Sequence, residues 1–196
     1  IVTLGGDGTN RVAAKGCGDV PLVAISTGTN NVFPANTEGT LAGIAAGALA
    51  TEQVERDDVC RRSKRIDIYV DGEKRDDALV DAAVSSQMFV GARAVWDTKT
   101  LHAMFLTRAE PASIGLSSIG SRLMPISLDE EIGLYIRLDG EPGETATTVR
   151  APIAPGMISA VKILDCRVIT PRGPIAINLQ PGSEALGGEG GTTAPP

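Results

Sequence analysis

The sequence predicts an α/β unit followed by an all-β unit, and two observations lead to this fold class. Near the N-terminus, two short apolar runs, residues 1–4 and Leu22 to Ile25, each end in a loop of glycine and small polar residues. This pattern is typical of a parallel sheet that is covered on both faces. From Arg65 onward, apolar and polar residues alternate and helical signals become rare, which indicates an antiparallel sandwich or barrel.

A charged stretch from Glu52 to Lys64 is the candidate boundary between the two units. We predict an α/β domain over residues 1–58, a β-sandwich over 59–180 and a disordered tail over 181–196, because the tail has almost nothing to bury. A parallel sheet needs more than one strand before a ligand loop can lie in its crevice. Since such a loop follows the first four residues, we expect that preceding sequence is missing from this chain.

Within the first unit, the apolar patterns predict two strands and two helices. The strands are the two apolar runs, and a short helix is expected over residues 9–15. A second helix is expected over residues 38–51, with Thr37 as its N-cap and Glu38 in its first turn, where an acidic side chain complements the helix dipole.

The second unit is predicted to be mostly strand. Alternation of period two begins at Ile66 to Val70, and Asp71-Gly72 is a hairpin turn signal. Asp97 is expected to cap the one helix of this unit, Thr98 to Leu106. The other strand candidates are Ala78 to Phe89, Ile114 to Ile119, Ile132 to Leu138, Thr147 to Ile153 and Ile158 to Ile169, with a turn at Asp139-Gly140.

The composition excludes several classes of function. The chain has 196 residues, is 42% hydrophobic and carries a formal net charge of −6, so no nucleic-acid partner is expected. No apolar run reaches the length of about 18 residues that a membrane helix needs, and no signal peptide opens the chain. We therefore expect a cytoplasmic protein without a membrane partner. Three separate cysteines and a single histidine, His102, argue against a zinc site, disulfides and a histidine-based triad.

The clearest candidate for a functional site is Gly-Gly-Asp-Gly-Thr, residues 5–9. Glycine allows a ligand to approach the backbone, and the amides that open the following helix favour an anion, which predicts a phosphate site. Asp7 would repel a phosphate unless it binds a bridging metal ion or accepts a proton from an attacking hydroxyl. The structural alternative is that Asp7 caps a helix over residues 8–15, which would not forbid a catalytic role.

A second loop of small polar residues, Ser26 to Asn31, follows the next strand. In open α/β sheets, ligands bind at the carboxyl ends of the strands, so both loops are expected at one site. The side chains of Asn30 and Asn31 can contact a ribose or an adenine, or they can hold a turn. The sequence leaves both interpretations open.

These two loops and the β-rich second half resemble the ATP–NAD kinase superfamily, which also includes the diacylglycerol and sphingosine kinases. The stretch from Leu4 to Pro34 is most similar to the acetoin-catabolism protein X branch, and the resemblance covers roughly residues 1–178. It implies a truncated NAD-kinase-like α/β nucleotide-binding domain followed by an antiparallel β-sandwich domain, with the site between them. The implied reaction moves the γ-phosphoryl group of ATP to a hydroxyl, the 2′-hydroxyl of NAD in NAD kinases, with Mg²⁺ offsetting the triphosphate charge.

The resemblance also assigns roles to individual residues. Asp7 matches the aspartate that deprotonates or orients the acceptor hydroxyl. Asp81 matches an acidic residue that binds the NAD ribose, although Val80 stands where an asparagine is expected and can neither donate nor accept a hydrogen bond. The implied nucleotide-binding residues are Gly5, Gly6, Gly8, Thr9, Asn10, Thr27, Gly28, Thr29, Asn30 and Asn31. No residue is implied as a metal ligand.

Other polar residues receive weaker assignments. The alternative for Asp81 is an ordinary strand residue that faces outward. A minor substrate-side role falls on Ser117, Ser118, Gly120 and Ser121, where NAD kinases carry a Gly-Ser-Thr-Ala-Tyr segment. The basic residues that could reach a phosphate are expected to be solvated surface charges, and they are Arg11, Lys15, Arg93 and Arg122.

The predicted function is a NAD kinase-like phosphotransferase that uses ATP and Mg²⁺ and acts on NAD(H) or a related small-molecule acceptor. One alternative is a non-catalytic nucleotide-binding accessory protein of acetoin catabolism, which Val80 favours. Another is a lipid kinase of the diacylglycerol type, which the second loop permits. Because the family usually assembles through its sandwich half, a homo-oligomer is expected.

Overall fold

The computed structural model describes residues 1–86, 97–140 and 143–170, and the backbone of residues 184–187. These residues form a mixed α/β structure with a parallel strand pair near the N-terminus and several antiparallel sheets after it. No helix in the described part of the chain combines the length and the apolar content needed to cross a membrane.

The N-terminal strands are parallel and bring their carboxyl ends together. β1 (Val2–Gly5) pairs with β2 (Val23–Ser26), so that Gly5 lies opposite Ser26. The two strands are joined through α1 (Asp7–Gly16), which begins two residues earlier than the sequence predicts. This confirms both strands and the helix, and it places the two polar loops at one edge of the sheet.

The second helix of this part, α2 (Gly39–Ala50), matches its prediction except at the cap. Its N-cap is Glu38 rather than Thr37, because the Glu38 carboxylate accepts hydrogen bonds from the Leu41 amide at 3.1 Å and the Thr40 hydroxyl at 3.1 Å. A single helical turn, α3 (Arg56–Val59), follows inside the charged stretch Glu52 to Lys64, the predicted boundary.

A hairpin opens the second part of the chain. β3 (Ile66–Val70) and β4 (Glu73–Ala78) are antiparallel and joined by Asp71 and Gly72. Both turn residues have positive φ, 52° and 82°, as a two-residue turn of the primed type requires. The predicted turn is therefore confirmed.

The largest sheet has five antiparallel strands in the order β10-β7-β6-β5-β11. A separate hairpin is formed by β8 (Thr147–Ala154) and β9 (Met157–Ile163). The described strands form no closed barrel. The members of the large sheet are β5 (Asp81–Ser85), β6 (Leu101–Leu106), β7 (Gly133–Arg137), β10 (Asp165–Ile169) and β11 (Glu184–Gly187).

The main hydrophobic core lies in this second part and gathers side chains from the large sheet, the β8–β9 hairpin and a helix, α4 (Leu116–Leu123). Its largest fully buried members are Met104, Leu106, Ile119, Ile126, Leu134, Ile136 and Ile153. Among the described N-terminal residues, by contrast, several large apolar side chains are exposed, including Leu4, Val12, Leu41 and Ile44.

Two predictions in the second part are wrong. Only Thr98–Thr100 forms a helical turn, of the 3-10 type and capped by Asp97, after which residues 101–106 continue as β6. The predicted strand at Ile114 to Ile119 is instead the start of α4. In both cases short apolar runs fit a strand or a buried helix equally well, and tertiary burial decides between them.

Most of the remaining strand predictions are confirmed. β7, β8 and β9–β10 confirm the three later strand candidates, and β4 and β5 cover the first part of Ala78 to Phe89. β11 forms at residues 184–187 within the tail that we predicted to be disordered, and its pairing with β5 contradicts that prediction there. Arg93 and the rest of the tail lie outside the described residues.

Candidate functional site

Asp7 is the first residue of α1, directly after the glycines that end β1, yet it does not cap its own helix. The N-cap is Gly6, and no side chain caps the helix. The Asp7 carboxylate instead reaches the two residues that continue the second loop after Asn31. Its Oδ1 accepts a hydrogen bond from the Phe33 amide at 2.7 Å and from the Val32 amide at 3.1 Å. Oδ2 also lies 3.1 Å from the Val32 amide. The N-cap interpretation of Asp7 is therefore wrong.

The surroundings of Asp7 favour its protonated form more than water would. Burial raises the pKa of Asp7 and outweighs the opposing effects of the Phe33 and Val32 amides and of the positive charge on Arg108. A base works best when its pKa lies near the working pH. The pKa shift therefore moves Asp7 in the direction that proton transfer from a hydroxyl requires.

The two glycine-containing loops interlock through Asn31. A Cβ atom on Gly6 would lie 2.6 Å from Asn31 Oδ1, and one on Gly28 would lie 3.0 Å from Asn31 Nδ2. The Asn31 side chain is held in place because its Nδ2 donates to Ser26 Oγ at 2.8 Å. Close packing between the loops thus requires glycine at residue 6, and Asn31 holds the turn of the second loop.

Asn10 shapes the first loop from inside. It is fully buried, its Oδ1 accepts from Thr3 Oγ1 at 2.6 Å, and its Nδ2 donates to the Gly6 carbonyl at 2.8 Å. Both polar ends of this side chain are therefore used within the protein. Asn10 connects β1, the glycine bend and α1.

The accessible polar groups of the site come from the same two loops. The first-turn amides of α1 have no side-chain cap, so they remain open to an anion. Thr9, Thr27 and Thr29 are exposed. Asn30, by contrast, is half-buried, and its Oδ1 atom is itself buried and has no hydrogen-bond partner among the described residues.

Arg108 comes from the second part of the chain, and sequence reasoning missed it. Its Nη1 donates to the Val32 carbonyl at 3.3 Å, and its guanidinium lies 5.4 Å from the centre of the Phe33 ring. Arg108 is only 5% exposed. The signal for it is a basic residue two positions after the apolar run Leu101 to Leu106, but the sequence predicts a helix over Thr98 to Leu106.

Asp81 is the first residue of β5, Val80 directly precedes the strand, and both are buried. The outward-facing alternative for Asp81 is therefore wrong. The carbonyl of Val80 accepts hydrogen bonds from both the amide and the hydroxyl of Thr107, at 2.8 and 3.0 Å. The Val80 side chain is 5% exposed and provides no polar group for a ribose.

Two further groups of residues have structural contacts. Arg11 and Lys15 each lie 2.6 Å from the Asp76 carboxylate, and Arg11 is buried rather than a solvated surface charge. Arg122 is exposed, as expected. The serines of α4, Ser117, Ser118 and Ser121, are buried in the helix.

A protein-made metal cage is not present in the described part of the chain, where no group of three or more His, Cys, Asp or Glu side chains could hold an ion. Mg²⁺ usually binds one or two carboxylates together with substrate phosphates and water.

Comparisons with known proteins identify the family of this chain. Residues 64–194 match the family model of the acetoin catabolism protein X C-terminal domain. The chain is also 42% identical over 193 residues to acetoin catabolism protein X of Cupriavidus necator, an alignment that covers 96% of this chain and 54% of that protein. It thus spans about half the length of this curated relative. The chain belongs to the acetoin catabolism protein X family.

Proposed function

We propose that this protein is a NAD kinase-like phosphotransferase that moves the γ-phosphoryl group of ATP to a hydroxyl, with the 2′-hydroxyl of NAD as the first acceptor. The observation that carries the proposal is the environment of the Asp7 carboxylate. Its carboxylate is held by two backbone amides at the carboxyl ends of two parallel strands, and burial raises its pKa. A perturbed carboxylate in such a crevice is a candidate for catalysis.

The first loop supplies groups that suit a phosphate donor. The α1 amides carry partial positive charge and lack a side-chain cap. Thr9 and the exposed residues of the second loop, Thr27 and Thr29, add hydroxyl donors around them. Mg²⁺, when bound with the nucleotide, would neutralise part of the triphosphate charge.

Asp7 then handles the acceptor. Its oxygens keep lone pairs beyond those that accept from Val32 and Phe33. The acceptor hydroxyl gives its proton to Asp7 as its oxygen forms the new bond to the γ-phosphorus. The bond from that phosphorus to the bridging oxygen breaks, and ADP leaves. Rigid attachment of Asp7 to the second loop fixes the carboxylate relative to the donor, which is what phosphoryl transfer asks of a protein.

The biological setting follows from the family. The curated relative is named for acetoin catabolism, and we propose that this chain acts in the same process, in the cytoplasm and as an oligomer of identical chains.

A second candidate function is a nucleotide-binding accessory protein without turnover. Val80 favours it, because the position expected to bind the acceptor ribose is a buried valine. In that case the phosphate loop is retained and acceptor recognition is lost.

A turnover assay and a binding measurement on the full-length protein separate the two candidates. We expect NADP to accumulate when the protein is incubated with ATP, Mg²⁺ and NAD, and calorimetry to show binding of ATP and of NAD. Binding of ATP without any product over a long incubation would favour the accessory role. Phosphorylation of diacylglycerol in a parallel assay would instead make the protein a lipid kinase.

A further inference from the structure

Arg108 connects the second part of the chain to the segment that holds Asp7. Its Nη1 donates to the Val32 carbonyl at 3.3 Å. Its guanidinium lies 5.4 Å from the Phe33 ring centre, within the range of about 6 Å for a cation–π contact. Val32 and Phe33 are the two residues whose amides bind the Asp7 carboxylate. One side chain thus contacts both residues on which the position of Asp7 depends.

The backbone around Arg108 is firmly anchored. On one side, the Thr107 amide donates to the Val80 carbonyl at 2.8 Å. On the other, Ala109 and Ile126 exchange two backbone hydrogen bonds of 2.8 and 3.0 Å. The guanidinium therefore extends from a fixed point of the second part, and its Nη2 lies 3.5 Å from Ser63 Oγ.

The burial of Arg108 costs desolvation free energy. The residue is 5% exposed, and its Nε has no hydrogen-bond partner among the described residues. Burial lowers the pKa of Arg108, and the negative charges of Glu110 and Asp7 oppose that shift only in part. Since apolar side chains often replace buried charges without loss of stability, stability alone does not account for an arginine here.

We propose that Arg108 is a positioning residue for Asp7: its guanidinium fixes the Val32–Phe33 segment, and the amides of that segment fix the carboxylate. The groups that face this arrangement are Glu110 on the same segment as Arg108 and Lys64 on the chain before β3, whose charge interacts with that of Arg108. The arrangement itself does not depend on the acceptor. Its effect on turnover rests on the proposed phosphotransferase function.

The test follows the Asp7 carboxyl by carbon NMR in the full-length protein labelled at aspartate, with Asp7→Asn used to assign the resonance. In Arg108→Met, we expect the titration midpoint of Asp7 to rise by roughly one pH unit, because a nearby positive charge and a fixed pair of amide donors are lost. The amide signals of Val32 and Phe33 should also stop responding to that titration. Arg61→Met makes the same chemical change at an arginine whose side chain is 72% exposed, and it should leave both signals unchanged.

A conservative variant completes the test. Arg108→Lys keeps a charge but cannot reproduce the planar contact with Phe33, so we expect an intermediate midpoint. Unchanged Asp7 and amide titrations in Arg108→Met overturn the proposal, and if that variant does not fold, unchanged titrations in Arg108→Lys do so.

Kinetics separate this proposal from the proposed function. If the full-length protein forms NADP, Arg108→Met should lower kcat and move the acid limb of its pH profile upward, with little change in KM for ATP. Shifted titrations in a protein that forms no phosphorylated product support the positioning role and contradict the phosphotransferase function.

Discussion

The Asp7 carboxylate accepts a hydrogen bond of 2.7 Å from the backbone amide of Phe33, a residue 26 positions later in the chain. This bond joins the loop after β1 to the loop after β2. Because the donor is a backbone amide, the geometry of the carboxylate depends on the path of the second loop rather than on the rotamer of a partner side chain. The position of the Asp7 carboxylate is therefore fixed by the backbone.

Gly6→Ala should destabilise the protein by about 1–3 kcal/mol, as overpacking in a tightly packed region usually does. The new Cβ would lie 2.6 Å from Asn31 Oδ1, and Asn31 is held by Ser26. In the double variant Gly6→Ala/Asn31→Ala the clash is absent, so the cost of Gly6→Ala should largely vanish. Chemical denaturation of the four proteins measures this coupling, and strictly additive costs would contradict the interlocking of the two loops.

Asp76→Asn should cost about 2 kcal/mol at pH 7, because charge-assisted hydrogen bonds contribute about 1.5–3 kcal/mol. Burial alone would raise the pKa of Asp76, but hydrogen bonds from Lys15 and the Asp77 amide and the charge of Arg11 outweigh it and lower the pKa. The stabilisation is therefore present above the unfolded-state pKa of about 3.9 and is lost as the pH falls through the lower folded-state pKa.

Denaturation of wild type and Asp76→Asn from pH 7 to pH 2 checks this dependence. The difference in unfolding free energy should shrink towards the acid end of the range. Asp19→Asn is the matched control, since Asp19 is 76% exposed and its nearest Arg56 nitrogen lies 3.5 Å away, a kind of surface pair that contributes little. A difference for Asp76→Asn that does not depend on pH would contradict the ion-pair assignment.

Ser118→Ala should lower the unfolding free energy by about 1 kcal/mol, the usual contribution of a hydrogen bond. The Ser118 hydroxyl is buried and lies 2.6 Å from the Gly115 carbonyl and 3.0 Å from the Pro152 carbonyl, which connects α4 to β8. The measurement is thermal or chemical unfolding. Ser127 is exposed, so Ser127→Ala is the control. Equal effects of the two substitutions would contradict a structural role for Ser118.

The N-terminal part was predictable because its signals are local. Two apolar runs and two glycine-containing loops specified β1, β2 and the shared edge at which Asp7 lies. The contact from Asp7 to Phe33 was not predictable, because it depends on how the second loop folds back beside β2. In the structure the chain folds back so that Ala35 forms a parallel β-bridge with Ile25. No local sequence pattern predicts this bridge.

The second part was harder to predict for a physical reason. Residues 101–106 and 114–119 are short apolar runs whose type is decided by what they are buried against, the neighbouring strands β5 and β7 in one case and β8 in the other. Because the sequence predicts a helix over Thr98 to Leu106, it does not reveal that Arg108 lies two residues after a strand and contacts the N-terminal part. A wrong element assignment thus concealed a member of the site.

The proposed role of Asp7, to receive the proton of the acceptor hydroxyl, is measured by the rate at which full-length Asp7→Asn converts NAD to NADP with ATP and Mg²⁺. We expect a kcat lower by about 100-fold or more, with a Kd for ATP within about threefold of wild type. We also expect wild-type kcat to fall on the acid side at a pH above the usual aspartate range, since burial raises the pKa of Asp7. Turnover by Asp7→Asn at the wild-type rate would contradict the claim.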